Sequence, residues 1–308
     1  MKMNNFVKGF TAIALSTLVL AACGSDDKKD TAKSSESSTA TSKTAESSTE
    51  AEKVAGGDLQ DGTYKLEEKN ESNGYRATFE MTVKDGKITE SKYDNINADG
   101  KSKTEDKDYE KNMKDKTGVG PAEFIPELNE SFVKAQSASG VEVVTGATHS
   151  TESFQNYAQQ LIQAAQIGDT DTIEIDNGAP LKDGTYSLKE KNNSNGYHTT
   201  FSIVVKDGKV TESKYDNVND EGKSKTEDAE YNTSMKEKSG TNPETYIPEL
   251  NDEFVKAMNE EDGSAADVEV VTGATHSSHS FVIYAEQLIN AAEKGDTKEI
   301  VVDNIVTK

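Results

Sequence analysis

The sequence contains one cysteine, Cys23, and lacks a hydrophobic run long enough to cross a membrane as a helix. A single cysteine cannot form an intramolecular disulfide, and it excludes a site built from several cysteine ligands. The longest candidate, residues 10–20, is too short for a membrane span and is interrupted by Thr11, Ser16 and Thr17. Because the apolar run is too short to cross a membrane, we interpret the N-terminal segment as a signal sequence rather than as a transmembrane helix.

Positive charge is also scarce, since 34 Lys and Arg residues face 56 Asp and Glu residues. The formal net charge is −22, and removal of residues 1–22 with Lys2 and Lys8 changes it to −24. Nucleic acid is therefore excluded as a partner, because phosphate backbones bind positively charged surfaces. The sequence also has no G-x-x-x-x-G-K-[ST] loop, and no G-x-G-x-x-G between a strand and a helix.

The N-terminus has the order of parts found in a secretory signal. Lysines precede the apolar run, and Leu20-Ala21-Ala22 closes it just before Cys23. This arrangement resembles the lipobox of bacterial lipoproteins. The resemblance implies a signal peptide at residues 1–22, lipidation of Cys23, and a protein anchored to the extracellular face of a Gram-positive type of cell membrane.

Residues 23–57 follow as a tether. They are mostly Ser, Thr, Ala, Lys, Asp and Glu, with very few apolar side chains. Such a segment cannot bury enough apolar surface to offset its loss of conformational entropy. We therefore expect a disordered tether behind the lipidated cysteine.

The rest of the chain is a duplication. Residues 63–106 recur as residues 185–228, and the offset of 122 becomes 127 at Thr148 and Thr275. The second copy thus carries five extra residues, which we place near residues 260–266. Two homologous domains are predicted, at residues 58–178 and 179–308, with a short linker near residues 177–180.

Each copy has the patterns of an α+β domain, predicted as an antiparallel sheet with packed helices. Alternating apolar residues lead into an Asp85-Gly86 hairpin turn, and Asp207-Gly208 repeats it. A short strand is expected at residues 141–144. Each copy ends in an amphipathic helix. In the first copy Ser150 or Thr151 would cap the start of this helix and Gly168 would stop it. In the second copy Gly295 stands at the matching stop. The apolar stripe of the first of these helices is Phe154, Tyr157, Ala158, Leu161, Ile162 and Ala165.

The heptapeptide VTGATHS occurs twice, at Val144–Ser150 and Val271–Ser277, just ahead of these helices. It places Thr148 and Thr275 at the positive end of a helix dipole, where backbone N–H groups favour a phosphate. The alternative for a single copy is a tight turn before a helix. Two copies in matching positions favour one phosphate-ligand site built twice.

The extended motif, Glu142 to Ser150, resembles the flavinylation signature of FMN-binding domains, a family that includes a subunit of the sodium-pumping quinone reductase. Glu142 and Glu269 stand where that signature has Asp. The resemblance implies that Thr148 and Thr275 each bear one FMN through a phosphoester, installed from FAD by a separate Mg²⁺-dependent flavin transferase. The cofactor-binding residues so implied are Thr145, Gly146, Ala147 and Thr148 in the first copy and Thr272, Gly273, Ala274 and Thr275 in the second.

The whole architecture is similar to the surface flavoproteins of extracellular electron transfer in Gram-positive bacteria. The similarity implies a carrier that takes electrons from a donor linked to the membrane quinone pool and passes them to acceptors such as ferric iron. The flavin would supply the redox chemistry, so no catalytic residues are expected.

Several readings stay open beside this one. A flavin-free surface lipoprotein that binds ligands or partners could use the same fold, and Leu15–Ala22 resembles the peptide pheromones released from some lipoprotein signals. Gly74 and Gly196 serve turns, although the adjacent Tyr75 and Tyr197 could flank a flavin ring, while Tyr93 and Tyr215 are core or ring contacts. His276 and His279 have the spacing of helical metal ligands, but Glu152 takes the matching place in the first copy, so no metal site is predicted.

Overall fold

The computed structural model describes residues 53–307. The predicted signal peptide at residues 1–22, its pheromone-like segment, the lipidation site Cys23 and most of the tether lie outside the described residues. Within the described part, no helix is both long enough and apolar enough to cross a membrane.

Both repeats follow the same order of strands and helices. A short strand β1 (Lys53–Ala55) comes first. The first repeat contains β2 (Gly62–Glu68), β3 (Arg76–Lys84), β4 (Lys87–Ile96), α1 (Lys107–Thr117), α2 (Pro121–Ala135), α3 (Thr148–Ile167) and β5 (Ile173–Ile175). The second contains β6 (Gly184–Glu190), β7 (His198–Lys206), β8 (Lys209–Val218), α4 (Ala229–Ser239), α5 (Pro243–Ala257), α6 (Thr275–Lys294), β9 (Ile300–Val302) and β10 (Val306–Thr307). Short 3-10 helices lie at Lys103–Glu105, Lys225–Glu227 and Ala265–Asp267.

The predicted hairpin joins β3 to β4. Asp85 and Gly86 have φ values of 53° and 72°, which are the positive angles that a two-residue hairpin turn requires. The pairing then brings Phe79 opposite Tyr93 on the buried face of the sheet. The same turn and register occur between β7 and β8. The predicted α+β class, with two similar halves of a sheet and packed helices, is confirmed.

The sheets are mixed rather than wholly antiparallel. Their orders are β4-β3-β2-β5 and β8-β7-β6-β9, in which β5 and β9 run parallel to β2 and β6. The prediction of an antiparallel sheet was therefore wrong for one strand in each repeat. In each repeat the parallel strand follows the long closing helix in the sequence. It pairs with a strand that lies near the start of the same repeat.

The closing helix α3 covers one face of the first sheet with its apolar stripe. Phe154 is completely buried and its ring lies 4.8 Å from that of Phe79 and 5.1 Å from that of Tyr93. The helix ends at Gly168, whose φ of 70° is the left-handed conformation expected at such a stop. The stripe and the stop glycine are as predicted, and burial of Tyr93 and Tyr215 makes both tyrosines part of the core.

Two expectations about the segment before α3 were wrong. Residues 141–144 form no strand, although Val141 and Val144 are buried. The helix begins at Thr148 with Ala147 as its N-cap, so neither Ser150 nor Thr151 caps it. The five additional residues of the second repeat lie in the segment that contains the 3-10 helix Ala265–Asp267.

Residues 53–57, predicted as the end of the tether, are ordered in part. Lys53 and Ala55 in β1 pair with Thr307 and Val306 in β10, so this end of the predicted tether includes a paired strand. The N-terminal end of the first repeat is thereby held to the C-terminal end of the second.

The two repeats pack through α3 and α6. Asn156 and Gln160 donate to Asn290 Oδ1 over 3.0 and 3.1 Å, and Gln163 donates to Gln287 Oε1 over 3.3 Å. Because Asn156 meets Asn290 whereas Gln163, later in α3, meets Gln287, earlier in α6, the two helices run in opposite directions. The interface is lined with amides from both helices.

Candidate functional site

A tight turn presents each VTGAT segment. The N–H of Ala147 donates to the carbonyl oxygen of Val144 over 2.9 Å, and Gly146 has a φ of 87°. A φ near +80° at the third position is that of a type II turn and favours glycine. A side chain at Gly146 would also overlap the carbonyl oxygen of Thr117 at the end of α1. Glycine is therefore required here both by conformation and by close approach.

The second motif repeats this geometry. Ala274 donates to Val271 over 2.9 Å, Gly273 has a φ of 84°, and a side chain there would overlap the carbonyl oxygen of Ser239. The turn thus rests against the end of α4 as the first one rests against α1. The same sequence motif therefore adopts the same local structure in both repeats.

Thr148 and Thr275 are each the first residue of a 20-residue helix, and both are exposed. The N-cap alanines, Ala147 and Ala274, supply no side-chain hydrogen bond, and neither first turn holds an acidic residue. The first N–H groups of a helix have no intrahelical acceptor and carry the positive end of its dipole. Each site therefore joins an accessible hydroxyl to an uncompensated anion-binding end, which fits a phosphate ester.

Neighbouring hydroxyl groups differ in availability. Thr151 is fully buried, and it accepts a hydrogen bond from Val144 N–H over 3.2 Å while donating to the Ala147 carbonyl over 3.0 Å. Ser278 makes the same pair of bonds in the second repeat, at 3.0 and 3.1 Å. These hydroxyls hold the loop to the helix and are not free for modification. Thr145 and Thr272, by contrast, are exposed in the turn itself.

A cavity of about 300 Å³ adjoins Thr148. The first repeat lines it with residues that include Glu142, Val143 and Glu152, and the second repeat contributes Val270 and His279. The first motif therefore borders a space that both repeats build. Sequence analysis had compared Glu152 with His279 only as matching positions and did not expect them to meet.

A second cavity, of about 280 Å³, adjoins Gly273. Its walls come mainly from α4, with Tyr231, Met235 and Lys238 beside Ser239. An aromatic ring, a thioether and an ammonium group together suit a flat, anionic organic ligand. The second motif is thus flanked by apolar surface within reach of its helix end.

Tyr75 and Tyr197 lie in matching clusters rather than at the motifs. Tyr75 Oη donates to Asp106 over 2.7 Å, and Lys103 Nζ lies 5.1 Å from the Tyr75 ring and 4.2 Å from the Tyr109 ring. The hydrogen bond to Asp106 raises the pKa of Tyr75 to about 12. Tyr197 has the same contacts with Asp228 and Lys225. The lysine escaped sequence analysis, although its recurrence in both SKTED segments could have indicated it.

The electrostatics around α3 include one unusual carboxyl. Glu152 is 4% exposed, its Oε2 has no hydrogen-bond partner among residues 53–307, and burial together with the charge of Asp267 raises its pKa to about 7. Asp267 itself lies 3.7 Å from His149 Nε2. Burial and the neighbouring His276 lower the pKa of His279.

A family model described as an FMN-binding domain matches residues 74–163 and again residues 196–290. Together these segments cover more than half of the chain, and each contains one of the two motif threonines. The two matches agree with the two copies of the turn and helix described above.

Two relatives show the same likeness over about one repeat. The chain is 32% identical to the 15 kDa lipoprotein of Treponema pallidum (strain Nichols) over 116 residues, which is 37% of this chain and 82% of that protein. It is 39% identical to the CPE2226 protein of Clostridium perfringens, known from a crystal structure. That match covers 38% of this chain and 97% of the other, with a TM-score of 0.37.

Proposed function

Because the chain belongs to the FMN-binding domain family, we propose that it is a membrane-anchored surface flavoprotein with two covalent FMN groups. One FMN is attached to Thr148 and the other to Thr275. The groups relay electrons from a membrane quinone-linked donor to extracellular acceptors such as ferric iron. The observation that carries this proposal is that both motifs place an exposed threonine at the start of a helix whose first turn has no acidic side chain.

The choice of acceptor follows from the local geometry. Thr148 combines exposure with the first position of the helix, where the dipole stabilises an attached phosphate by about 0.3–1 kcal/mol. Thr151 is buried and bonded at both its donor and acceptor sites. In the second repeat, Ser277 Oγ is 3.4 Å from Tyr246 Oη and Ser278 is buried. Thr148 and Thr275 are therefore the hydroxyls that we assign as acceptors.

Attachment requires FAD and a transferase with Mg²⁺. The threonine oxygen forms a bond to the phosphorus on the FMN side of the FAD pyrophosphate, and the bond to the AMP oxygen breaks. AMP leaves, and the hydroxyl proton passes to the solvent or to a base of the transferase. No electrons are transferred in this step, so the protein supplies only the nucleophile and the helix end that receives the phosphate charge.

The bound flavin supplies reversible two-electron chemistry, while the chain supplies attachment, orientation and an electrostatic environment. The cavities beside Thr148 and Gly273 provide apolar walls for a planar ring. Covalent attachment suits a protein outside the cell, because a dissociated cofactor would be lost by dilution.

Anchoring rests on the N-terminal segment and on a relative. Cys23 follows a signal-like run, and the similar protein of T. pallidum is named a lipoprotein. We propose that a lipid on Cys23 holds the chain at the extracellular face of the membrane. The polar segment that follows would let the folded repeats reach both a membrane donor and external acceptors.

The proposal is tested by the intact mass of the mature soluble part, produced with and without a co-expressed flavin transferase. Two FMN additions that depend on the transferase, mapped to peptides with Thr148 and Thr275, are expected. An unmodified mass in both samples would contradict it and would favour the flavin-free surface lipoprotein. Electron relay is then measured as ferric reduction by quinol-containing membranes, which should fall when both threonines are replaced.

A further inference from the structure

One face of α4 lies beside the turn of the second motif. Tyr231, Met235 and Lys238, which we call the α4 face, line the cavity that adjoins Gly273. Their spacing of four and three residues places them on the same side of the helix. The end of α4 is fixed against the turn, because a Cβ at Gly273 would overlap the carbonyl oxygen of Ser239. The α4 face therefore belongs to the second site.

The first repeat has the same three side chains in α1. With the offset of 122 they are Tyr109, Met113 and Lys116, each identical in type to its counterpart. Only one further pair, Lys114 and Lys236, is identical between these two 11-residue helices. Gly146 rests against the end of α1 as Gly273 rests against α4. The two helices thus differ at most positions but agree at those that line the cavity in α4.

Internal packing uses only part of the α4 face. Met235 is half-buried at the margin of the core, and Tyr231 is half-buried with Lys225 Nζ 4.1 Å from the centre of its ring. Lys238 is exposed and has no hydrogen-bond or ion-pair partner among residues 53–307. The ring, the thioether and the ammonium group are therefore all available to a ligand in the cavity.

The chemistry of this cavity suits a planar ring that gains negative charge. Tyrosine rings stack on other planar rings, and a thioether makes favourable contacts with them. An ammonium group stabilises a nearby negative charge. None of the described residues that line this cavity is a carboxylate, whereas Glu142 and Glu152 line the cavity beside Thr148.

We propose that Tyr231 and Met235 seat the flavin ring attached to Thr275, and that Lys238 lies at the edge of that ring and favours its reduced state. The inference rests on the proposed function. All three are positioning residues, since they exchange neither electrons nor protons with the ring. Lys238 acts through its charge, which offsets the negative charge that reduction adds and so raises the midpoint potential.

The first experiment measures flavin fluorescence in the full soluble chain flavinylated only at Thr275, through Thr148→Ala. Tyr231→Phe keeps the aromatic ring but removes the phenol, which quenches an excited flavin in contact with it by donating an electron. The fluorescence yield should rise. The Tyr231 hydroxyl makes no hydrogen bond among residues 53–307, so the substitution should leave the fold intact. Tyr197→Phe is the matched control, because the Tyr197 ring lies 6.2 Å from that of Tyr231 but does not line the cavity. It should leave the yield unchanged.

The second experiment measures the midpoint potential of the same flavin by spectroelectrochemical titration. Lys238→Gln should make the potential more negative, and Lys238→Arg should restore it because the charge is kept. Lys236→Gln is the matched control: it removes the same charge from the same helix, but Lys236 lines a different space. Its effect on the potential should be clearly smaller.

The outcomes separate two failures. If intact mass shows no FMN on Thr275, the proposed function fails at this site and the ring seat fails with it. If FMN is attached, the ring seat alone is overturned by either of two results. One is an unchanged fluorescence yield in Tyr231→Phe, and the other is an equal shift of potential in Lys238→Gln and Lys236→Gln.

Discussion

The hydroxyl of Thr151 accepts a hydrogen bond from the backbone N–H of Val144 over 3.2 Å. The same hydroxyl donates to the carbonyl oxygen of Ala147 over 3.0 Å, so it closes the loop that leads into α3. In the second repeat, Ser278 bonds Val271 and Ala274 in the same way. Two different side chains with a hydroxyl in common therefore hold the loops that lead into Thr148 and Thr275.

Replacing Thr151 by valine keeps the shape of the side chain but removes the hydroxyl. We expect the free energy of unfolding to fall by about 1–3 kcal/mol, because the buried N–H of Val144 loses its acceptor. The loop that presents Thr148 should also become less well held, which lowers the fraction of chains with FMN there. Urea unfolding and intact mass measure the two effects.

Thr151→Ser is the matched control, since Ser278 performs the same role in the second repeat. It should keep both stability and FMN occupancy close to those of the wild type. A loss in Thr151→Ser with none in Thr151→Val would show that the methyl group rather than the hydrogen bonds holds the loop.

Replacement of the acceptor threonines should separate attachment from folding. Thr148→Ala and Thr275→Ala are each expected to remove one FMN from the intact mass, and the double variant should carry none. Both side chains are exposed, so the free energy of unfolding should change by less than about 0.5 kcal/mol. Thr145→Ala and Thr272→Ala are controls that should retain two FMN groups. Retention of two groups by either acceptor variant would disprove the assignment.

Elements with a strong local pattern could be predicted from the sequence. The Asp85-Gly86 hairpin depends on two adjacent residues with positive φ, and the α3 stripe depends on spacing within one helix. Strand β5 could not be predicted in this way. It has three residues and pairs with β2, which lies about a hundred residues earlier in the chain.

At residues 141–144 the sequence predicted a strand that the structure does not contain. Their valines have the composition of a strand, yet a strand also requires a backbone partner. Here the N–H of Val144 bonds to Thr151, and Gln155 donates to the carbonyl oxygen of Val141 over 2.7 Å. Side chains of α3 thus replace a neighbouring strand, which no local pattern reveals.

The candidate site likewise has one part that the sequence predicts and another that depends on how the repeats pack. The position of Thr148 and Thr275 at a helix start could be read from the motif and the apolar stripe that follows. The meeting of Glu152 with His279 depends on how α3 and α6 cross, and the two residues differ in type as well as in sequence position. Repeat comparison aligned them, but only the packing of the repeats brings them into one cavity.

Gly146→Ala should be more destabilising than an alanine at another glycine with positive φ. Gly146 has a φ of 87°, and an added Cβ would overlap the Thr117 carbonyl oxygen. Gly74 has a similar φ of 79° but open space around it. We expect about 1 kcal/mol for Gly74→Ala and at least about 2–3 kcal/mol for Gly146→Ala, where backbone strain and overlap add.

Urea unfolding of the two glycine variants provides the comparison, and FMN occupancy at Thr148 provides a second readout. Gly146→Ala should lower that occupancy because the turn must shift away from α1, whereas Gly74→Ala should not affect it. Equal destabilisation by both substitutions would mean that the contact with Thr117 contributes nothing.

The buried carboxyl of Glu293 should make the stability of the fold depend on pH. Burial raises its pKa from 4.5 to about 7, against the opposing hydrogen bond that it accepts from Gly178 N–H over 2.7 Å. The folded state therefore binds more protons than the unfolded chain between these values, and protonation favours folding. Its contribution is fully present below pH 4.5 and is lost as the pH rises through about 7. Glu152 and Glu286 act in the same direction, whereas His279, with its lowered pKa, opposes them.

Because several groups contribute, the difference between wild type and Glu293→Gln isolates the effect of this carboxyl. Glutamine keeps an acceptor for Gly178 but cannot ionise. The variant should gain about 1–3 kcal/mol relative to the wild type as the pH is raised from 5 to 8, measured by urea unfolding at each pH. Glu127→Gln, at an exposed position of α2, should show no such trend. A constant difference for Glu293→Gln across this range would mean that Glu293 is already ionised in the folded protein at pH 5.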